Sequence, residues 1–334
     1  MRAPESAPRF VAVGAGRMGR GIAIAFAYAG HRISLVDLRV RTDAAWQTLR
    51  DEARAEIASG LNGLAELGVL TREQVPEIAA RVELTNAADA PRALAAAELV
   101  FEGVPETLES KREAFAQINE HCRADAILTS TTSSILVTRI AEFVLRPERF
   151  LNIHWLNPAY VIPVVELSYH AGTDPAVLAR AKQLMEQIGK LPVVCGPTPG
   201  YIVPRLQALI MNEAARMIEE GAATAEEIDK ATRYGLGLRF AALGVVEFID
   251  FGGCDILHHA SREMSASIDA RRYQAPAILE RMIGEGRLGL KTGSGFYDYQ
   301  GRDVVAYRGD VLLRTLGMLK HAGLWQPPAP TTLD

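Results

Sequence analysis

The chain has 334 residues, 49% of them hydrophobic and 23% charged, which is enough for two domains with substantial cores and an ordinary balance for a soluble globular protein. A net charge of −4 argues against nucleic acid as the main partner, and no apolar run approaches the roughly 18 residues that a membrane-spanning helix needs. Cys122, Cys195 and Cys254 are scattered without paired spacing, so the expectation is a reducing compartment, the cytoplasm, and no structural metal site.

Residues 1–8 lack the apolar core of a signal peptide and read as a loose tail. Phe10 to Val13 is a short apolar run, a buried strand. Gly14-Ala15-Gly16-Arg17-Met18-Gly19 follows, then a helix through Ile22, Ala23, Phe26 and Ala27, then a second strand, Ile33 to Val36, ending at Asp37. A lone G-x-G-x-x-G is weak evidence and fits any tight strand–helix turn. Between a strand and a helix, with an acid 18 residues beyond Gly19, it is the dinucleotide fingerprint. The glycines let the backbone approach a pyrophosphate seated on the helix N-terminus. Asp37 would bond a ribose 2′-hydroxyl and repel a 2′-phosphate, which favours NAD, although Arg39 could receive that phosphate.

Residues 41–68 read as helix, and Thr71 to Gln74 as a capping box opening another. Strands are expected at Val82–Leu84, Leu99–Phe101, Ala126–Thr129 and Leu151–His154, with a helix from Lys111 to His121. Ser130-Thr131-Thr132-Ser133-Ser134 follows a strand's carboxyl end, where doubly wound sheets bind ligands; the plainer reading is that Ser133 or Ser134 caps a helix over 135–143.

The stretch N-I-H-W-L-N-P-A-Y-V-I-P-V-V-E, residues 152–166, holds His154 and, twelve positions later, Glu166, in apolar surroundings. Pro158 and Pro163 make it strand, rigid turn, strand. A carboxylate on one imidazole nitrogen fixes the tautomer and makes the other nitrogen a better base. The alternative is a core histidine beside an unrelated surface glutamate. A helix over 175–189 and a strand over 191–195 precede Gly196-Pro197-Thr198-Pro199-Gly200, the clearest boundary in the chain. Beyond it only helices are expected, over 201–220, from a capping box at Thr224–Glu227 to about Gly235 or Gly237, and over 243–264, 276–284 and 310–321. The fold class is therefore α/β, a Rossmann-type dinucleotide-binding domain (9–198) followed by an all-α dimerisation and substrate domain (199–325). An apolar helical domain this small points to a homodimer.

Together these motifs resemble the L-3-hydroxyacyl-CoA dehydrogenase family over residues 10–299. The family's G-x-G-x-M-G is matched by Gly14 to Gly19, its V-x-E-A-V-x-E by Val100 to Glu106, and its N-T-S-S by Thr131 to Ser134. Its H-F-x-N-P and V-E are matched by His154 to Pro158 and Val165-Glu166, and its K-T-G-x-G-F-Y-D-Y by Lys291 to Tyr299. The resemblance implies an NAD-dependent enzyme of fatty acid metabolism. In it His154 is the base, Glu166 orients it, and Ser133 and Asn157 bond the reacting oxygen or the histidine region. Glu102 and Lys111 would lie near the cofactor, with Glu102 toward the nicotinamide ribose.

Three departures bear on the substrate. Pro204, in Gly200-Tyr201-Ile202-Val203-Pro204-Arg205, replaces a substrate-contacting asparagine of the family's G-F-I-V-N-R. Residues 242–247 replace M-G-P-x-E, and Thr131 stands for an asparagine that helps hold the cofactor. Residues 235–240 are closer to the branch of lambda-crystallin and carnitine dehydrogenase, whose members act on free hydroxy acids. Without a lysine before Lys111, a CoA phosphate would have to rely on Arg50 and Arg54. Two substrate classes follow: a 3-hydroxyacyl-CoA or related 3-hydroxy acid, or a small free hydroxy acid whose carboxylate binds Arg205 or Arg239. A non-catalytic dinucleotide-binding protein is the third possibility, against which the intact His154, Glu166, Ser133 and Asn157 set argues.

Overall fold

The computed structural model describes residues 9–326; the expected tail at 1–8 lies outside them. Eight short strands, β1 (Phe10–Val13), β2 (Ile33–Val36), β3 (Val82–Thr85), β4 (Leu99–Glu102), β5 (Ile127–Ser130), β6 (Phe150–Trp155), β7 (Val164–Ser168) and β8 (Leu191–Cys195), form one sheet in the order β3-β2-β1-β4-β5-β6-β7-β8. β1 to β6 run parallel, β7 is antiparallel to β6, and β8 is parallel to β7. The largely apolar character of β1, β2 and β4, every residue of which is buried, is explained by cover on both faces. One face packs against Arg17–Tyr28, Asp43–Glu66, Gln74–Ala79 and Pro175–Gln187, through side chains such as Ile22, Phe26, Leu61 and Leu184. The other packs against Ala90–Ala96, Leu108–His121 and Val137–Ala141, through Leu94, Phe115, Ile118 and Ile140. Each such side chain contributes about 1.5–3 kcal/mol by leaving water. The strand order reverses between β1 and β4, which opens a crevice at their carboxyl ends.

Local chemistry sets the helix starts. Thr42, Thr107 and Asp174 accept the free amides of Ala45, Ser110 and Ala176. Only half of the expected box at Thr71 forms: Gln74 Oε1 accepts from the Thr71 amide at 2.8 Å, and the helix begins at Gln74 itself. The serines after β5 do not cap the next helix, which shrinks to Val137–Ala141. Thr132 Oγ1 instead accepts from the amides of Ser134 (3.3 Å) and Ile135 (2.9 Å).

The chain divides into two compact units after Ile210, within the helix Val203–Glu219. In the second unit, Thr224 caps Ala225–Lys230 by accepting from Glu227 N. The chain does not stop at the glycines 235 and 237: it continues as a π-helix, Ala231–Gly237, into Leu238–Ala242. The single helix expected over 243–264 is two, Val245–Gly252 and Cys254–Ser267. The break is at Gly253 (φ +112°), where a Cβ would lie 2.7 Å from Asp255 Oδ1. The last helix starts earlier than expected, at Val304, because Asp303 accepts the amides of Val305 and Ala306. The segment Lys291 to Tyr297 is a structural clasp. Buried Asp250 accepts from the amides of Phe296 (2.9 Å) and Tyr297 (2.8 Å), and a Cβ on Gly295 would sit 2.2 Å from Asp250 Oδ1.

Candidate active site

The turn after β1 is shaped to admit a phosphate. Gly14 (φ +102°) passes so close to the next strand that a Cβ would meet Gly103 O at 2.7 Å, and a Cβ on Gly19 would meet Gly14 O at 2.0 Å. Gly16 faces open space and caps Arg17–Tyr28 with no side chain, so the first amides of that helix are left for a ligand. Arg17 is exposed and Met18 half-buried against the core beneath. A cleft of about 460 Å³ runs from Gly14 and Gly16 past Gly103 to Asp37, Arg39 and Arg41. The buried Asp37 sits at the end of β2, where a ribose would lie, and these residues fit a dinucleotide. Sequence reasoning missed Arg41, whose Nε donates to Asp37 Oδ2 while the Arg39 amide reaches Oδ1 at 3.4 Å. Its spacing from Asp37 was the available signal.

Glu102 and Lys111 do not line this cleft. Their side chains are 0% and 1% exposed and pair with each other, Lys111 Nζ lying 3.0 and 3.1 Å from the two carboxylate oxygens. Ser130 Oγ (2.6 Å) and the Val104 amide (2.8 Å) also donate to Glu102. The pair belongs to the floor because Glu102 ends a strand covered on both faces, and a charge there must be fully partnered. The carboxylate nearer the surface is Glu106. Its Oε1 accepts from Thr132 Oγ1, from the amides of Ser133 and Ser134 (3.0 Å each) and from Ser134 Oγ (2.9 Å). Burial opposes its charge, but the Thr132 and Ser134 hydrogen bonds and Lys111 outweigh it and hold the carboxyl at about 2. Glu106 thus clamps the loop that presents Ser133.

On β6 and β7, His154 and Glu166 are direct cross-strand partners. His154 Nδ1 lies 2.8 Å from Glu166 Oε2; the side chains are 5% and 0% exposed. Glu166 Oε1 accepts from the amides of Ile202 (2.9 Å) and Val203 (2.8 Å), where the Val203–Glu219 helix begins. Burial alone would raise the Glu166 carboxyl; the bonds from His154, Val203 and Ile202 prevail and lower it. A charged carboxylate on Nδ1 leaves Nε2 as the nitrogen available for a proton, and Nε2 has no hydrogen-bond partner among the described residues.

Ser133 and Asn157 are exposed just past the ends of the neighbouring strands β5 and β6. Pro204 is the second residue of its helix, closer to the start than one turn in, where a missing amide hydrogen costs nothing. Arg205 beside it is exposed. Arg239 belongs to the second unit, its guanidinium 4.4 Å from the Phe248 ring centre. Two further residues escaped the sequence reading. Tyr201 stacks on His154, and buried Lys190 donates to the carbonyls of Ala159 (2.6 Å) and Ile162 (2.7 Å), tying down the turn between β6 and β7. Among the described residues, no group of histidine, cysteine and carboxylate side chains could hold a metal ion, and no helix is long and apolar enough to cross a membrane.

Comparison with known proteins places the chain in a family. Residues 10–198 match the profile described as "3-hydroxyacyl-CoA dehydrogenase, NAD binding domain", and residues 200–299 the corresponding "C-terminal domain". The 3-hydroxyadipyl-CoA dehydrogenase of Escherichia coli K12 is 36% identical over 290 residues, which are 86% of this chain but only 58% of that longer protein. The 5-formyl-3-hydroxy-2-methylpyridine 4-carboxylate 5-dehydrogenase of Mesorhizobium japonicum is 29% identical, over 86% of this chain and 89% of its own. The crystal structure of a 3-hydroxyacyl-CoA dehydrogenase from Archaeoglobus fulgidus superposes with a TM-score of 0.74 at 30% identity, covering 95% of this chain and all of that one. Both family profiles, matched in order over residues 10–198 and 200–299 of a chain that opens on a tight glycine turn between strand and helix, show that the chain belongs to the 3-hydroxyacyl-CoA dehydrogenase family and is an NAD-dependent oxidoreductase.

Proposed function

We propose that the chain oxidises the 3-hydroxyl of a 3-hydroxyacyl-CoA, or of a related 3-hydroxy acid, to the ketone. The observation that carries the reading is the His154–Glu166 pair, in which both oxygens of a fully buried carboxylate are occupied, one by Nδ1 and the other by two backbone amides. That arrangement keeps the imidazole in one tautomer and one orientation. His154 Nε2 takes the hydroxyl proton, and Glu166 stabilises the resulting imidazolium. NAD, when bound, accepts the hydride that leaves C3. Ser133 and Asn157 hydrogen-bond the reacting oxygen from the adjoining strand ends.

Pro204 favours a second reading of the substrate. It removes the side-chain amide that the family pattern presents at this position, a loss worth about 0.5–1.5 kcal/mol, or two- to tenfold. That is too little to abolish hydride transfer and enough to disfavour short CoA thioesters relative to a differently shaped hydroxy acid. The Mesorhizobium relative, whose name carries no CoA, is consistent with this. The same reading includes a homodimer, supported by the apolar face described below, and a reducing compartment such as the cytoplasm, supported by three unpaired thiols. NADH formation with 3-hydroxybutyryl-CoA, carnitine and gulonate separates the substrates. His154→Ala should cut turnover by about 10²- to 10⁴-fold with NAD binding retained; near-native turnover would remove the base from the mechanism.

A further inference from the structure

The His154 imidazole has a second neighbour besides Glu166. The Tyr201 ring lies flat on it, centres 4.7 Å apart and planes within 9° of parallel. Tyr201 holds this position with φ +48°, a left-handed backbone that a bulky residue adopts only at a cost. Its hydroxyl donates to the Thr132 carbonyl (2.7 Å) and accepts from Asn152 Nδ2 (3.1 Å). Those two bonds and the stack are what hold the strained residue in place. Burial keeps the phenol protonated far above neutral pH, so the donation to Thr132 persists.

We propose that Tyr201 is a positioning residue: its ring fixes the plane of His154, and its hydroxyl ties that plane to the loop carrying Ser133. The proposal rests on His154 being the base. An aromatic face parallel to an imidazole attracts it more strongly once it is cationic, so the stack supports the state that follows proton uptake. The ionisable groups around the ring come from several elements. Glu166 on β7 bonds Nδ1, and Cys195 on β8 lies within electrostatic reach of Glu166. Glu106, in the loop after β4, acts on Tyr201, whereas Lys190 lies 5.5 Å from the ring centre of Trp155, the next residue of β6, whose side chain faces the other side of the sheet. Of these only Glu166 bonds the imidazole.

The test compares Tyr201→Phe with Tyr201→Leu in kcat and KM across pH, and follows the His154 ring by NMR titration in each protein. Tyr201→Phe keeps the stack and loses the bridge: kcat should fall about two- to tenfold with the acid limb of the pH–rate profile unmoved. Tyr201→Leu keeps an apolar cover without a π face. Its kcat should fall more than about tenfold with KM for NAD unchanged, and the acid limb and the NMR midpoint should both move down by about half a pH unit. A Leu variant with both at their original pH overturns the role of the stack, and a Phe variant with native kcat overturns the bridge. Should the leucine variant not fold, Tyr201→Met carries the same expectation. Because the NMR midpoint is read without turnover, an active His154→Ala enzyme would refute the base while leaving the stacking result legible.

Discussion

We propose that cofactor choice turns on Asp37, at the end of β2 in the cleft beside Gly14 and Gly16. A carboxylate about 4 Å from a 2′-phosphate would cost about 1 to 4 kcal/mol, one to three decades in affinity. Arg41, already bonded to Asp37, and Arg39 beside it pull that penalty toward its lower end. The expected outcome is NAD preferred over NADP by at least tenfold in kcat/KM, and Asp37→Ala, which releases Arg41, should narrow or reverse that ratio. Steady-state kinetics with both cofactors checks this, and an unchanged ratio would move the selectivity elsewhere. Glu106 gives a stability prediction. Its folded carboxyl is held at about 2 against an ordinary 4.5, so the stability it contributes is present above about pH 4.5 and lost as pH falls from 4.5 toward 2. Urea midpoints measured across that window should decline, and Glu106→Gln should flatten the decline.

At the scale of the element, the strand–turn–strand bearing His154 and Glu166 was legible because two prolines, Pro158 and Pro163, bracket the turn between two apolar runs. Direct pairing of His154 with Glu166 across β6 and β7 puts the two side chains next to each other on one face of the sheet. The burial of Glu102 and its pairing with Lys111 were not legible, because a strand buried on both faces shows no alternation to say which side its last residue faces. Tyr201 was read as the start of a helix because nothing in its identity announces a positive φ; the fold imposes it. The Lys291–Tyr299 motif was legible as a motif and not as a clasp, since its partner, Asp250, lies 46 residues from Phe296. Gly295→Ala would push a Cβ against the Asp250 carboxylate and should cost about 1–3 kcal/mol, read as a lowered thermal midpoint. An unchanged midpoint would show that the clasp yields.

At the scale of the molecule, the first unit has a covered sheet, and the helical segments carry uncovered apolar surface. The Val203–Glu219 helix buries none of its 17 residues, though Leu206, Leu209, Ile210, Met211 and Ile218 recur at helical spacing. Leu209 is 64% exposed and Met211 60%. A face of this kind favours a second copy, and light scattering is expected to give twice the mass of one 36.3 kDa chain. Leu209→Glu should halve it, and a monomeric wild type would refute the homodimer. The boundary proposed at 198/199 follows the Gly-Pro run, whereas packing divides the chain twelve residues later, after Ile210, because the first turns of the helix count with the unit that holds Glu166.

The π-helix Ala231–Gly237 turns the count of residues into a setting of angle. Each residue of an α-helix advances it by about 100° and about 1.5 Å. A π segment holds more residues per turn, so the helix that follows emerges with a phase an α-helical path of the same length would not reach. Arg239, in the second position of Leu238–Ala242, inherits that phase. Removing one residue between 231 and 237 would let the segment relax toward ordinary winding and would swing the guanidinium around the helix axis. In this part of the chain, then, an insertion or deletion of one residue acts as a rotation, and it can re-aim an arginine without changing any side chain's identity.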